Sequence, residues 1–328
     1  MITAPRGRAE WPTLALLAAC YGLWGLGTTV LAALSPPLAV GLVALCVTLH
    51  SSLCHEALHG HPFRARAFNA ALVFPALGLF VPYARFRDTH LAHHRDERLT
   101  DPYDDPESNY LDPAAWARLP AVLRVLLRAN NTLAGRVLIG PALSLARFIA
   151  GDIRRIARGD GSVAAAWAWH MAALLPVWLR LDLVAAMPPA AYLLAVYLGH
   201  GILKIRTFLE HRAHVCVAAR TVIVADRGPL ALLFLNNNLH AVHHAHPGLP
   251  WYRLPARHAV DAQGYLARNG GYFYRSYAAV IRRYLFRAKD PVAHPLRPAP
   301  EPALQHPAGA AGAGCQAGVK VSASALRQ

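Results

Sequence analysis

Residues 38–59 read LAVGLVALCVTLHSSLCHEALH. Crossing the apolar core of a bilayer takes about 20 largely apolar residues, and this stretch carries no Asp, Glu, Lys or Arg through Cys54. It then runs without a break into His55 and His59, four positions apart. On a continuing helix that spacing puts both rings on one face. Neutral imidazole is a common ligand of iron and zinc, so the segment predicts a membrane span, over 38–54, that delivers metal ligands to the membrane surface.

Two further clusters share one spelling. His90-Leu91-Ala92-His93-His94 and His240-Ala241-Val242-His243-His244 are both HxxHH. With 18 histidines in 328 residues, chance supplies roughly 0.05 such patterns per chain, so the pair is a designed feature. In each, the first and last histidines repeat the i, i+4 spacing and the middle one adds an adjacent donor. Eight imidazoles in three groups exceed the needs of one four-coordinate zinc ion and suit two metal ions side by side.

The composition agrees with a membrane setting. The chain is 55% hydrophobic with mean hydropathy +0.26, yet has a formal charge of +15. Soluble proteins rarely combine these values, whereas a membrane protein with basic cytoplasmic segments does. The arginines flank apolar runs and no nucleic-acid-binding pattern is present, which argues against a nucleic-acid partner. Five cysteines (Cys20, Cys46, Cys54, Cys216 and Cys315) form no CxxC pair and are expected as small buried hydrophobes rather than a disulfide framework.

Four spans are expected, at about 13–34, 38–54, 163–181 and 183–203. They form two hairpins, the first turning at Ser35-Pro36-Pro37 and the second around Arg180 and Asp182. Met187-Pro188-Pro189 should kink the last span or shift its start. The apolar stretches 68–83 and 221–235 are interrupted by proline, glycine or charge and are read as re-entrant or interfacial. A spanning 68–83 would separate the first two clusters across the membrane. The first span has no convincing cleavage site and is read as retained. Two hairpins put both termini and all three clusters on one side. Arginines concentrate on that side, with only Arg180 in the opposite turns, so it is expected to be cytoplasmic. The fold class is an all-α integral membrane protein with interfacial helices and a cytoplasmic histidine-rich cap, a membrane domain over 1–286. The Pro-, Ala- and Gly-rich 287–328 is expected to be a disordered tail.

The set HEALH, HLAHH and HAVHH resembles the three histidine boxes of the membrane fatty acid desaturase superfamily, which also holds hydroxylases and carotenoid ketolases. The likeness extends to box order and to two spans between boxes two and three, over about residues 40–256. It implies two iron ions cycling between Fe2+ and Fe3+, dioxygen as co-substrate and an external electron donor such as a ferredoxin or a cytochrome. It also implies an acyl-lipid substrate. The implied ligands are His55, His59, His90, His93, His94, His240, His243 and His244. An extra histidine after the last span is matched by His211 in TFLEH, with His214 the alternative. Asn236 matches the asparagine that some members keep near the metal. Asp88, Asp96 and Asp101 are candidate partners for ring N–H groups. His50, His170 and His200 are expected as hydrogen-bonded membrane histidines, and His61, His258, His294 and His306 as surface residues.

The resemblance implies O2-dependent introduction of a C=C bond into an acyl chain, or hydroxylation or ketonisation of a lipid or carotenoid. No fused heme or iron–sulfur pattern supplies electrons within the chain. His55-Glu56-xx-His59 is also a literal HExxH, the zinc protease pattern with Glu56 as base, but that reading leaves six clustered histidines without a role. A metal transporter would hold its ligands near the bilayer midplane, not at its edge. The expected location is a bacterial inner membrane.

Overall fold

The computed structural model describes residues 9–94 and 98–297. The protein is mostly helical. Helix α1 spans Trp11–Leu34, α2 Pro36–Leu58 and α5 Gly161–Leu183, and these three are long and apolar enough to cross a membrane. Between α2 and α5 lie α3 (Tyr83–His93) and α4 (Gly140–Ala157), with shorter helices around them. Helix α6 follows at Pro189–Thr207 and α7 at His240–Ala245. α6 has 19 residues, but it carries His200, Lys204 and Arg206 and does not join the other three by composition. Three spans, not the expected four, are therefore evident from length and apolarity.

Sequence explains the boundaries. Prolines at the first turns of α1, α2 and α6 occupy positions where a missing N–H costs nothing. The second hairpin turns later than expected. α5 runs through Arg180 and Asp182 to Leu183, and Pro188-Pro189 delays the start of α6.

Arg180 instead closes that end of the bundle. A π-turn at Gly27–Leu31 in α1 loosens local carbonyls. Arg180 Nη2 donates to Gly25 O (2.9 Å), and its guanidinium lies 5.3 Å from the Trp24 ring centre. The backbone N–H groups of Ala186 and Met187 donate to Thr28 O.

α2 is the central helix: 50% of its apolar window is buried, against 28% for α1 and for α5. It meets α6 at Gly199, where Thr48 Oγ1 donates to Gly199 O (2.9 Å). A Cβ on Gly199 would sit 2.7 Å from Ala44 O, so only glycine permits this approach. On the outer faces, Leu23, Leu26 and Val30 of α1 and Trp169, Leu175 and Trp178 of α5 are exposed, as lipid-facing side chains are.

Stretch 68–83 does not form a spanning helix. It is a short helix, Arg66–Leu72, followed by irregular chain that enters between the long helices. Side chains of those helices satisfy its carbonyls. Tyr21 OH donates to Leu72 O (2.8 Å), Tyr192 OH to Leu77 O (2.9 Å), His200 Nε2 to Gly78 O (3.0 Å) and His170 Nε2 to Leu79 O (2.7 Å). Ala76 N–H donates to Ala173 O. An irregular backbone is tolerable at such depth only when its polar groups are paired by protein. His50 pairs with Tyr21 OH at 3.2 Å, so all three interior histidines are hydrogen-bonded.

Stretch 221–235 likewise does not span. It holds strand β1 (Ile223–Val224), paired parallel to β2 (Phe273–Tyr274), and a short helix Pro229–Leu233. An apolar cluster of Phe208, Leu209, Val222, Phe234, Tyr277 and Val280 ties this cap together.

Two expectations need correction. The chain stays packed past Arg287: Leu111 exchanges backbone bonds with Val292 and His294, and Lys289 Nζ donates to His211 O (2.7 Å). The boundary of the packed body therefore lies no earlier than Arg297; residues 298–328, including His306, lie outside the described residues. His61 and His294 are buried, His61 against Glu10 (2.8 Å). Cys20, Cys46 and Cys54 are free, the first two buried, as expected of small hydrophobes.

Candidate metal centre

Four chain segments converge at one end of the long helices. α2 contributes His55 and, at its C-cap, His59. α3 contributes His90 and His93, with His94 at its C-cap. α7 contributes His240, His243 and His244. His211 comes from the segment after α6, held by backbone bridging to Thr221.

The nine rings form two groups. One contains His55, His59, His90, His94 and His243, the other His93, His211, His240 and His244; within each, the ligand nitrogens lie within 4.8 Å of one another. The two HxxHH boxes are used reciprocally. The i, i+4 pair His90/His94 belongs to the first group and the middle His93 to the second. For α7 the pair His240/His244 belongs to the second group and the middle His243 to the first. Each box thereby contributes to both groups, as a helix does when residues three apart point about 60° away from one another.

Tautomer logic tests whether the groups suit metal. His93 Nδ1 donates to Asp105 Oδ1 (2.7 Å), His90 Nδ1 to Glu107 Oε1 (3.0 Å) and His240 Nδ1 to Asn237 Oδ1 (3.0 Å). A neutral ring protonated on Nδ1 has a bare lone pair on Nε2. Yet the Nε2 atoms face one another: His93 to His211 at 2.8 Å, His211 to His240 at 3.0 Å, His90 to His94 at 2.9 Å and His94 to His243 at 3.2 Å. One proton on His211 Nε2 can serve only one of its two neighbours. Further, His55 Nε2 and His59 Nε2 are buried with no hydrogen-bond partner. Convergent, desolvated lone pairs are repulsive among themselves and favourable around a cation, so the residues fit two metal ions.

Charge balance points the same way. Burial, reinforced by neighbouring rings, holds His211, His240 and His243 well below the ordinary imidazole range, leaving them as neutral bases ready to ligate. His93 is the exception. Burial disfavours its charge, but Glu107 and Asp105 outweigh this and raise it to about 9.

The expected acids are not the ones that serve. Asp88 is exposed and paired with Arg87, Asp101 binds backbone N–H groups and Arg297, and Asp96 lies outside the described residues. Asp105 and Glu107 take the role, with Glu210 Oε1 3.7 Å from His240 Nδ1. The acidic run Asp104-Asp105-Pro106-Glu107 beside the second box is the signal that could have revealed them. Asn236 Nδ2 donates to Trp251 O (3.1 Å). Leu235 and Asn236 both have positive φ (52° and 55°), and the next residue, Asn237, is the one that meets His240. His211 joins the second group; His214 bonds locally to Cys216 and does not. Glu56 accepts from Trp251 N–H (3.1 Å), so the acid of HExxH is engaged by backbone, against the protease reading.

A family model described as fatty acid desaturase matches residues 28–277. The chain belongs to the fatty acid desaturase family. This desaturase-family protein is accordingly an oxidoreductase of the desaturase–hydroxylase superfamily, in a membrane context and with an acyl-lipid type of substrate. The family is known for using two irons, and the paired histidine groups of this member suit that use. No curated protein matches the chain significantly.

Proposed function

We propose that the protein is an O2-dependent acyl-lipid desaturase. The observation that carries this reading is the pair of abutting all-histidine groups whose Nε2 atoms face one another at 2.8–3.2 Å. His55, His59, His90, His94 and His243 would hold one iron, and His93, His211, His240 and His244 the other. When bound, the iron pair supplies dioxygen activation, which removes two hydrogens from adjacent methylenes. The balance is one acyl –CH2–CH2–, one O2, two electrons and two protons giving –CH=CH– and two waters.

The protein's own part is preparation. Asp105, Glu107 and Asn237 fix the tautomers of His93, His90 and His240, so each presents a lone pair inward. The rings of His55, His90, His93, His240 and His243 are at most 3% exposed, which keeps bulk water from the reacting centre. Arg85, paired with Asp152, fixes the start of α3 behind its histidines. The electrons come from a separate donor, a ferredoxin or a cytochrome, on the arginine-rich side. In this reading α6 is a fourth span, both termini and both groups face the cytoplasm, and the membrane is a bacterial inner membrane.

The test is lipid analysis of a host expressing the wild type beside a His93→Ala/His243→Ala variant, one ligand from each group. A new unsaturated acyl species, absent in the variant, is expected. Hydroxy or keto products would reassign the protein to the hydroxylase or ketolase branch, and a membrane fraction loaded with zinc instead of iron would overturn the reading.

A further inference from the structure

We infer that the tripeptide Asp105-Pro106-Glu107 is a single clamp that positions one ligand in each of the two histidine groups; this rests on reading those groups as metal sites. His90 and His93 lie three positions apart on α3 and belong to different groups. Their Nδ1 atoms, 3.0 and 2.7 Å from carboxylate oxygens, are held by two acids separated by one residue. Pro106 between them has a fixed φ, which narrows the backbone freedom of the link that joins the two acids.

The two arms differ. Asp105 is 3% exposed, and both its oxygens are used: Oδ1 accepts from His93 and from Glu107 N–H (2.9 Å), Oδ2 from Thr100 N–H (2.9 Å). Ser108 Oγ donates back to Thr100 O and closes the loop on itself. This arm is rigid. Glu107 is 31% exposed at its side chain, and its second oxygen lies 3.9 Å from His93 Nε2, beside the other group. This arm borders solvent, and its hydrogen bond goes to His90 alone of the two rings. A carboxylate on the far nitrogen orients a ligating imidazole and raises its basicity, and losing it weakens metal binding about 10–100-fold. Here two such contacts share one loop, so Asp105 governs the four-histidine site and Glu107 the five-histidine site.

The experiment uses the purified full-length protein in detergent, loaded anaerobically with 57Fe(II), and reads iron per chain and the Mössbauer spectrum. His211→Ala and His59→Ala assign the signals of the four- and five-histidine sites. Asp105→Asn is expected to weaken the first signal by about 10–100-fold in iron affinity and Glu107→Gln the second, each sparing the other site. Glu107→Gln changes a partly exposed group and keeps the test valid should Asp105→Asn fail to fold. Wild-type signals in Glu107→Gln would overturn the clamp, as would loss of both signals together in both variants. A wild type that takes up no iron pair would overturn the metal reading itself, and that result is seen before any variant is compared.

Discussion

His94 and His244 stack across the boundary between the two histidine groups, their ring centres 4.3 Å apart and their planes 21° from parallel. One ring belongs to the five-histidine group and the other to the four-histidine group, so the two sites share a wall. Removing either ring takes a ligand from one site and packing from the other. His94→Ala and His244→Ala are each expected to lower product formation by more than about a hundredfold, beyond the loss typical of an outer partner, and to lower iron at both sites. Quantifying product and iron checks this; near-wild-type product in either variant would refute it.

Gly199 is the contact of α6 with α2. A methyl there would lie 2.7 Å from Ala44 O and 2.9 Å from the Val47 side chain. Overpacking of this kind costs about 1–3 kcal/mol. Gly199→Ala is expected to lower the melting temperature in detergent, whereas Gly41→Ala, with nothing within 4 Å, should not. Equal melting of the two variants would contradict the close approach.

Arg85 and Asp152 form a buried two-pronged ion pair, Nε to Oδ2 and Nη2 to Oδ1 both 2.9 Å, with Trp167 Nε1 also donating to Asp152 (3.0 Å). Asp152→Ala strands a buried guanidinium and should cost about 3–5 kcal/mol. Because Arg85 opens the helix that carries His90 and His93, iron affinity should fall too. An Arg85→Met/Asp152→Leu double variant should recover much of the stability; if it is worse than the single variant, the pair has another role.

The metal-free protein should be most stable in a window of pH. His211, His240 and His243 have folded-state affinities for protons below the ordinary value of 6.5. Their contribution is complete above pH 6.5 and is lost as pH falls, because the unfolded chain then takes up protons that the fold excludes. His93, raised to about 9, acts oppositely: its contribution is present below 6.5 and lost as pH rises through about 9. Melting temperatures of the apoprotein should therefore decline on both sides, and His93→Gln should flatten only the alkaline limb. An unchanged alkaline limb in that variant would rule out His93 as its source.

Much of this centre could be read from residue order. The doubled HxxHH and the run from α2 into His55 and His59 were legible because ligand spacing is a local property of a helix, whereas His211, off any helix, is reached only through the family resemblance. What was not legible depends on the third dimension. Nothing in HLAHH tells that His93 crosses to the other group, since that is decided by where α7 and His211 stand. Asp105 and Glu107 reach the histidines through a loop, while Asp88, nearer in sequence, points to solvent. Asn237, one residue beyond the asparagine singled out by resemblance, meets His240 after two residues of positive φ that the sequence does not announce. His61 and His294 looked like surface residues because their partners Glu10 and Tyr110 are distant in sequence.

The irregular chain after Leu72 also sets an order of manufacture. Its acceptors at Leu77, Gly78 and Leu79 are met by donors 115, 122 and 91 residues further on. At about 5–20 residues per second of synthesis, those carbonyls wait on the order of ten seconds before Tyr192, His200 and His170 exist. Until then only local backbone, such as Phe80 N–H on Gly78 O, and water are at hand to meet them. The native partners of this piece are thus made only after both of the histidine boxes that it joins.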